Sequence, residues 1–264
     1  MIFGYTRQGY YKHVNLDEFR SHRDANVLVE VREIRKELPK LGGLKLHKML
    51  SKMQLPELKI GRDYLFALLG KNGLLQKRRR KFTRTSDSGP KPVTHPNLLA
   101  GKTIEKPNQA WVTDMTYLNT CSGFAYLYLI TDKFSRRILS HVVTNSLKAK
   151  YACIALEKAI QTVPATEGII HHSDHGSQYC SNEYQKILFE NKMLCSMTGP
   201  ARCYDNPVAE RLNGILKQEF GISKVLPSVK IAQELVLDAI TIYNSKRLHK
   251  SLGYKTPDDV YYSR

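Results

Sequence analysis

One segment limits the fold more than any other. Residues 124–131 read FAYLYLIT, which is almost wholly apolar and carries no charge. A run of that kind is a central, buried strand. Residues 110–118 (AWVTDMTYL) and 138–144 read as strands on either side of it, and the break at 120–123 suits a hairpin turn. Downstream the pattern alternates. A helix is predicted over 147–162, with Ile154, Leu156, Ala159 and Ile160 at helical spacing. A strand over 168–172, a helix over 182–191 and a strand over 194–197 follow, then helices over 206–220 and 228–244. Three strands and then alternating helix and strand predict an α/β domain with a mixed sheet.

The first part of the chain is of another kind. Val27, Val31, Ile34 and Leu38 predict a helix over 26–38, which Pro39 and Gly42-Gly43 interrupt. Helical spacing returns over 44–53, through Leu46, Met49, Leu50 and Met53. It returns again over 61–69, with Leu65, Leu68 and Leu69 inward and Arg62 near the start. Two short helices joined by a tight turn match either a helix-turn-helix or a plain helical bundle. The next segment favours DNA. Lys77, Arg78, Arg79, Arg80 and Lys81 place five cations together with no acid among them, which suits phosphate contact. Residues 82–106 are rich in Pro, Thr and Ser and read as a linker. The expected organisation is a helical DNA-binding region over 1–81, the linker, and the α/β domain over 107–264.

Charge supports this division. The chain of 264 residues carries 41 Lys and Arg against 24 Asp and Glu, a net charge of +17. Residues 1–100 hold +12 of it and residues 101–264 only +5. The excess points to a polyanion, with nucleic acid ahead of an anionic membrane surface. No apolar run reaches the ~18 residues of a membrane span, and no signal-peptide pattern opens the chain. The five cysteines, at 121, 153, 180, 195 and 203, show no C-x-x-C spacing, which speaks against a zinc module and for free thiols in a reducing cytoplasm.

Three acids stand out. Asp114 lies mid-strand in an apolar segment, where a carboxylate needs a partner or a metal. Asp174 follows a predicted strand, in His171-His172-Ser173-Asp174-His175-Gly176-Ser177. Ligands gather where strands of α/β sheets end, and a carboxylate in a glycine turn suits a hard cation. The histidine spacing does not suit zinc. Glu210 lies near the start of a helix that Asp205 or Asn206 can cap and Pro207 can open. Glu210, Asn213, Gly214 and Lys217 share one helix face. A mid-helix glycine costs about 1 kcal/mol, so a close approach of another backbone at Gly214 is expected.

Between Asp174 and Glu210 stand 35 residues. Here the chain resembles the DDE transposases and retroviral integrases, and most closely the OrfB-type transposases of bacterial insertion sequences. The segments that carry the resemblance are 106–114 (KPNQAWVTD), 132–137 (DKFSRR), 171–179 (HHSDHGSQY) and 204–210 (YDNPVAE). Tyr243-Asn244, Arg247, His249 and Ser251-Leu252-Gly253-Tyr254 complete it. The resemblance implies an RNase H-like core, a five-stranded mixed sheet with flanking helices, preceded by a small helix-turn-helix domain. It implies a DNA transposase that cleaves and joins strands, with Asp114, Asp174 and Glu210 binding two Mg2+ or Mn2+ ions. It implies that Lys217, with Asn213 beside it, contacts the element's end, while Arg62 and the 77–81 cluster bind the terminal repeats. The expected partners are double-stranded DNA, further copies of the chain and an upstream-frame product, since the family's active enzyme is often a longer frameshift fusion. The expected setting is the bacterial cytoplasm, at the nucleoid. The competing readings are a non-catalytic DNA-binding regulator of the same element and another RNase H-like nuclease.

Overall fold

In the computed structural model of the protein, residues 6–76, 95–199 and 206–263 are described. The basic run at 77–81, most of the expected linker and Asp205 lie outside them. The chain divides into two compact units, residues 1–80 and 81–264.

The first unit is helical. Helix α1 spans Arg7–Glu37, and the Thr6 hydroxyl caps it by accepting the Gly9 N–H at 3.1 Å. It starts well before the predicted residue 26. Its early turns bury no apolar side chain, and Tyr10, Tyr11 and Phe19 are exposed there, so no periodicity announced them. Val27, Val31 and Ile34 form the buried stripe of its second half. Helix α2 spans Gly43–Lys52 and α3 spans Arg62–Lys71. The connection between them differs from the tight turn expected. Residues 53–61 form it, with a 3-10 turn at Pro56–Leu58. Leu58 and Ile60 are buried, and a ring nitrogen of His47 (Nε2) lies 3.0 Å from the Ile60 carbonyl. The connection is therefore packed into the core, whereas a helix-turn-helix turn has three or four residues. Arg35 joins the unit's ends by donating to the carbonyls of Leu74, at 2.7 Å, and Leu41, at 3.1 Å.

The second unit is built on a five-stranded sheet. Strands β1 (Ala110–Thr120), β2 (Gly123–Asp132) and β3 (Ile138–Thr144) form an antiparallel meander. Strands β4 (Ile170–Ser173) and β5 (Leu194–Met197) lie parallel to β1, in the order β3-β2-β1-β4-β5. Helices α4 (Ala149–Ile160) and α5 (Asn182–Glu190) follow the predicted alternation, and so do α6 (Pro207–Glu219) and α7 (Val229–Ser245). A short α8 at Pro257–Tyr261, which no long apolar pattern marks, closes the described chain. Among the described residues no helix is long and apolar enough to cross a membrane.

The burial of β2 explains its sequence. Ala125, Leu127 and Leu129 face a core shared with α6 and α7, which includes Leu212, Leu216, Val236 and Ile240. Tyr128 and Ile130 face the opposite core, with Trp111, Leu156 and Tyr184. Both sides of the strand are covered, so neither parity tolerates a charge.

Two family segments prove to be clasps. Asp132 ends β2 fully buried. Its Oδ2 accepts the Ser135 N–H at 2.7 Å and hydroxyl at 2.6 Å, and its Oδ1 accepts the Asn108 N–H at 2.8 Å. Asn108, at φ +61°, accepts the Trp111 indole N–H through its own side chain. On α7, Asn244 accepts the Ile138 N–H at 3.0 Å and donates to the Ile138 carbonyl at 2.9 Å. It thus completes the start of edge strand β3 as another strand would.

Candidate active site

The parallel pairing of β1 with β4 brings the first two acids together. Val112 pairs with His172, so Asp114 and Asp174 each lie two residues beyond the same rung. Adjacent strands run ~4.8 Å apart, which sets the two carboxylates side by side. Asp174 is exposed just past β4. Its Oδ1 accepts the Gly176 N–H at 2.9 Å. A Cβ at position 176 would lie 3.0 Å from that oxygen and 3.1 Å from Gln178 Oε1, so a larger residue there would press on the Asp174 carboxylate.

Asp114 is half-buried. Its Oδ1 accepts the Met115 N–H at 2.9 Å and its Oδ2 accepts the Asn213 amide at 2.7 Å. Burial, the Asp174 carboxylate and, more weakly, Glu210 push its carboxyl up to about 7, against those two hydrogen bonds, which hold it down. Asn213 was expected at the DNA. Instead it is buried against Asp114, and its Oδ1 has no hydrogen-bond partner among the described residues.

Helix α6 carries the third acid. Glu210 is on its exposed first turn, and the burial it has raises its carboxyl. Two turns later Lys217 is half-buried. Burial lowers its ammonium, and the Asp114 charge works the other way, which puts Lys217 in that carboxylate's field. Gly214 does not fit its expectation. A Cβ there would meet nothing nearer than Gln218 Nε2 at 4.0 Å, so no backbone approaches it and the face between Glu210 and Lys217 stays open. Among the described residues no three of His, Cys, Asp and Glu are gathered closely enough to hold one ion. The structure therefore brings Asp114 to Asp174 and leaves Glu210 at the rim.

Both ends of α6 are fastened by residues whose roles the spacing did not disclose. Asp205 or Asn206 was expected to cap the helix, and Asn206 does hold the N-cap position. Its side chain, however, makes no cap bond to the helix and donates to the Thr113 carbonyl at 2.9 Å, one residue before Asp114. At the other end Glu219 meets Arg247 in a two-pronged pair, at 2.8 Å (Nε–Oε2) and 2.7 Å (Nη2–Oε1), with Arg247 buried.

The histidines of the 171–175 segment diverge. The Tyr184 hydroxyl lies 2.6 Å from His171 Nε2, the Ser196 hydroxyl 2.8 Å from His172 Nδ1 and the Thr198 carbonyl 2.7 Å from His175 Nε2. In the first unit Arg62 opens α3 on the surface, where its Nε donates to Asp63 at 2.7 Å. The cluster at 77–81 is outside the described residues.

Two family models, each described as an integrase core domain, match residues 104–203 and 191–257. The chain is 32% identical over 262 residues to the insertion element IS600 uncharacterized 31 kDa protein of Shigella sonnei, covering 97% of this chain and 94% of that one. It is 30% identical over 241 residues to the transposase for insertion sequence element IS629 of Shigella sonnei, covering 91% and 80%. A chain of the simian T-cell lymphotropic virus intasome, solved by cryo-EM in complex with PP2A regulatory subunit B56 gamma, superposes with a TM-score of 0.50. The match has 21% identity and covers 61% of this chain and 58% of that one, which speaks to the fold alone.

Proposed function

The chain belongs to the insertion-sequence transposases that carry an integrase core domain, and from that premise we propose that Asp114, Asp174 and Glu210 carry metal-dependent cleavage and joining of DNA strands. The observation that carries this reading is the condition of Asp114. Burial first, then the Asp174 carboxylate and, more weakly, Glu210 drive it towards protonation, to about 7. Asp114 and Asp174 would hold a divalent cation, whose charge would offset that repulsion, and carboxylate oxygens suit Mg2+ or Mn2+. Glu210, on the open rim of α6, would supply the third carboxylate for a second ion. When bound, such a pair supplies charge stabilisation for an in-line phosphoryl transfer.

The chain's own residues do the rest. Asn213 fixes the rotamer of Asp114, Asn206 and Arg247 hold α6 in register with β1, and Lys217 presents a cation to the phosphates of the element's end. Water attacks the phosphodiester at that end and releases a 3′-hydroxyl. That hydroxyl then attacks the target strand and expels its 3′-oxygen, so no protein nucleophile is required. The helical unit, with Arg62 and the 77–81 cluster, would hold the terminal repeats. Pairing two ends calls for a second copy, with the upstream-frame product as a further partner, and the setting is the nucleoid in the cytoplasm. Asp114→Asn, Asp174→Asn and Glu210→Gln test the assignment. Each should abolish Mn2+-dependent nicking and strand transfer while end binding persists. Full strand transfer by any of them, in a folded protein, refutes the triad.

A further inference from the structure

Two of the family segments, 132–137 and 249–255, play no part in that chemistry, and they meet in space. A cavity of about 540 Å³ lies between the β2–β3 turn and the chain around α8. Lys133, Arg136 and Lys255 line it, with the hydroxyl-bearing Ser251 and Ser263 and an apolar wall that includes Phe134. Among the described residues no carboxylate lines it. Three of the acids near it are engaged elsewhere. Asp132 accepts three hydrogen bonds from Asn108 and Ser135, Asp258 pairs with Arg137 at 2.8 Å, and Asp259 accepts the Thr256 N–H at 2.9 Å.

Arg136 is the most constrained member. Its φ of +67° sets it in the left-handed region, its N–H donates to the Asp132 carbonyl, and its own carbonyl accepts the Tyr243 hydroxyl. Its Nη1 is buried and has no hydrogen-bond partner among the described residues. A buried guanidinium nitrogen without an acceptor is costly, and buried donors in folded proteins nearly always find one. Lys133 adds a second charge close by. Burial and, after it, the Arg136 charge lower its ammonium, while the Asp132 carboxylate acts on Arg136 from the other side.

We propose that this pocket binds a backbone phosphate of the DNA, away from the catalytic acids. The Arg136 guanidinium, the two ammonium groups and the serine hydroxyls are the donors that phosphate oxygens take, and the Phe134 wall suits the adjoining deoxyribose. Contacts of this kind set the register of the duplex and carry no base specificity. The inference rests on the reading of the chain as a DNA-acting enzyme.

The test is the affinity of full-length wild type, Lys133→Gln/Lys255→Gln and the exposed charge reversal Lys255→Glu for a labelled duplex, measured between 50 and 300 mM salt. Losing one phosphate contact should make the slope of log affinity against log salt shallower by about 1, with weaker binding at every salt concentration. Melting temperatures should match the wild type. Inorganic phosphate, compared with chloride at equal ionic strength, separates the two sources of the anion. An unchanged DNA slope, with phosphate raising the melting temperature of the wild type alone, would make the pocket a small-anion site and overturn the proposal. An unchanged slope with no phosphate effect also overturns it. If the wild type binds no DNA, the underlying reading fails and the pocket assignment with it.

Discussion

Asp114 provides the sharpest test, because its environment sets a sign and a magnitude. Its carboxyl is shifted from 3.8 to about 7 by burial and by Asp174. In the metal-free protein the fold therefore favours the protonated form. The stability this confers is complete below about pH 4 and is lost as pH rises to 7, because the unfolded chain releases the proton earlier. A shift of about 3 units at 1.36 kcal/mol each gives a ceiling of about 4 kcal/mol. Asp114 keeps some contact with solvent, so screening brings the working figure to about 2 kcal/mol. Asp114→Asn removes the charge at every pH. Its amide oxygen can still accept the Met115 N–H, and its NH2 can donate to the unpartnered Asn213 Oδ1 once that amide turns over. With chelator present, the variant and the wild type should melt alike only at about pH 3.5, below the unfolded carboxyl's range. Above pH 7.5 the variant should melt roughly 4–8 °C higher, at 2–4 °C per kcal/mol for a unit of this size. His141 and His171, held neutral by burial down to about 4 and about 3, destabilise both proteins as pH falls below 6.5 and cancel in the difference. Adding Mn2+ at pH 8 should stabilise the wild type and leave the variant nearly unmoved. A melting difference that stays flat between about pH 3.5 and 8.5 would refute the reasoning.

Other perturbations follow from the same geometry. Arg247→Met leaves Glu219 facing a half-closed site without its partner, and chemical denaturation should show a loss of about 3–5 kcal/mol. The double variant Arg247→Met/Glu219→Leu should recover much of that loss. Gly176→Ala brings a methyl to 3.0 Å from Asp174 Oδ1, so that carboxylate must give by a few tenths of an ångström, and Mn2+ affinity measured by calorimetry should fall about 10–100-fold with little change in melting temperature. Asn213→Ala removes a hydrogen bond that holds the Asp114 carboxyl down. The acid limb of the rate–pH profile should therefore move to higher pH, whereas a merely structural role for Asn213 would lower the rate equally across the profile.

The sheet was legible because β2 is almost wholly apolar and turn chemistry separates it from its neighbours. The residues of β2 alternate between two cores, and that double burial is visible in FAYLYLIT itself. The long α1 was legible only where it packs. Val27, Val31 and Ile34 carry a stripe, whereas the turns before them bury nothing and so leave no periodic trace. The connection between α2 and α3 was misjudged for a related reason. Pro56 reads as a break, but Leu58 and Ile60 are drawn inward, which turns a supposed tight turn into a nine-residue connection anchored at two positions. At the site the acids were visible from their spacing and their segments. Their amide partners were not, because an asparagine's role depends on what faces it. Asn206 has the sequence of a cap and the geometry of a tie, and Asn213 has the position of a surface contact and the burial of an orienting group.

These ties explain why segments far from the acids belong to the same pattern. In the proposed mechanism Glu210 and Lys217 can act only if α6 keeps its rotation and height relative to β1. One end is set by Asn206 on the Thr113 carbonyl, adjacent to Asp114. The other is set by Glu219 on Arg247, whose Nη1 lies 3.0 Å from His249 Nε2. Between α7 and β3, Asn244 holds both backbone groups of Ile138, and the Tyr243 hydroxyl donates to Arg136. The C-terminal motif thus runs from the third acid, through α7, to the turn that carries Lys133 and Arg136. A change at Asn244 should therefore disturb both places at once. Asn244→Leu should lower strand transfer and weaken the salt dependence of DNA binding together, although residue 244 touches neither the acids nor the pocket. Loss of one without the other would mean that α7 does not couple them.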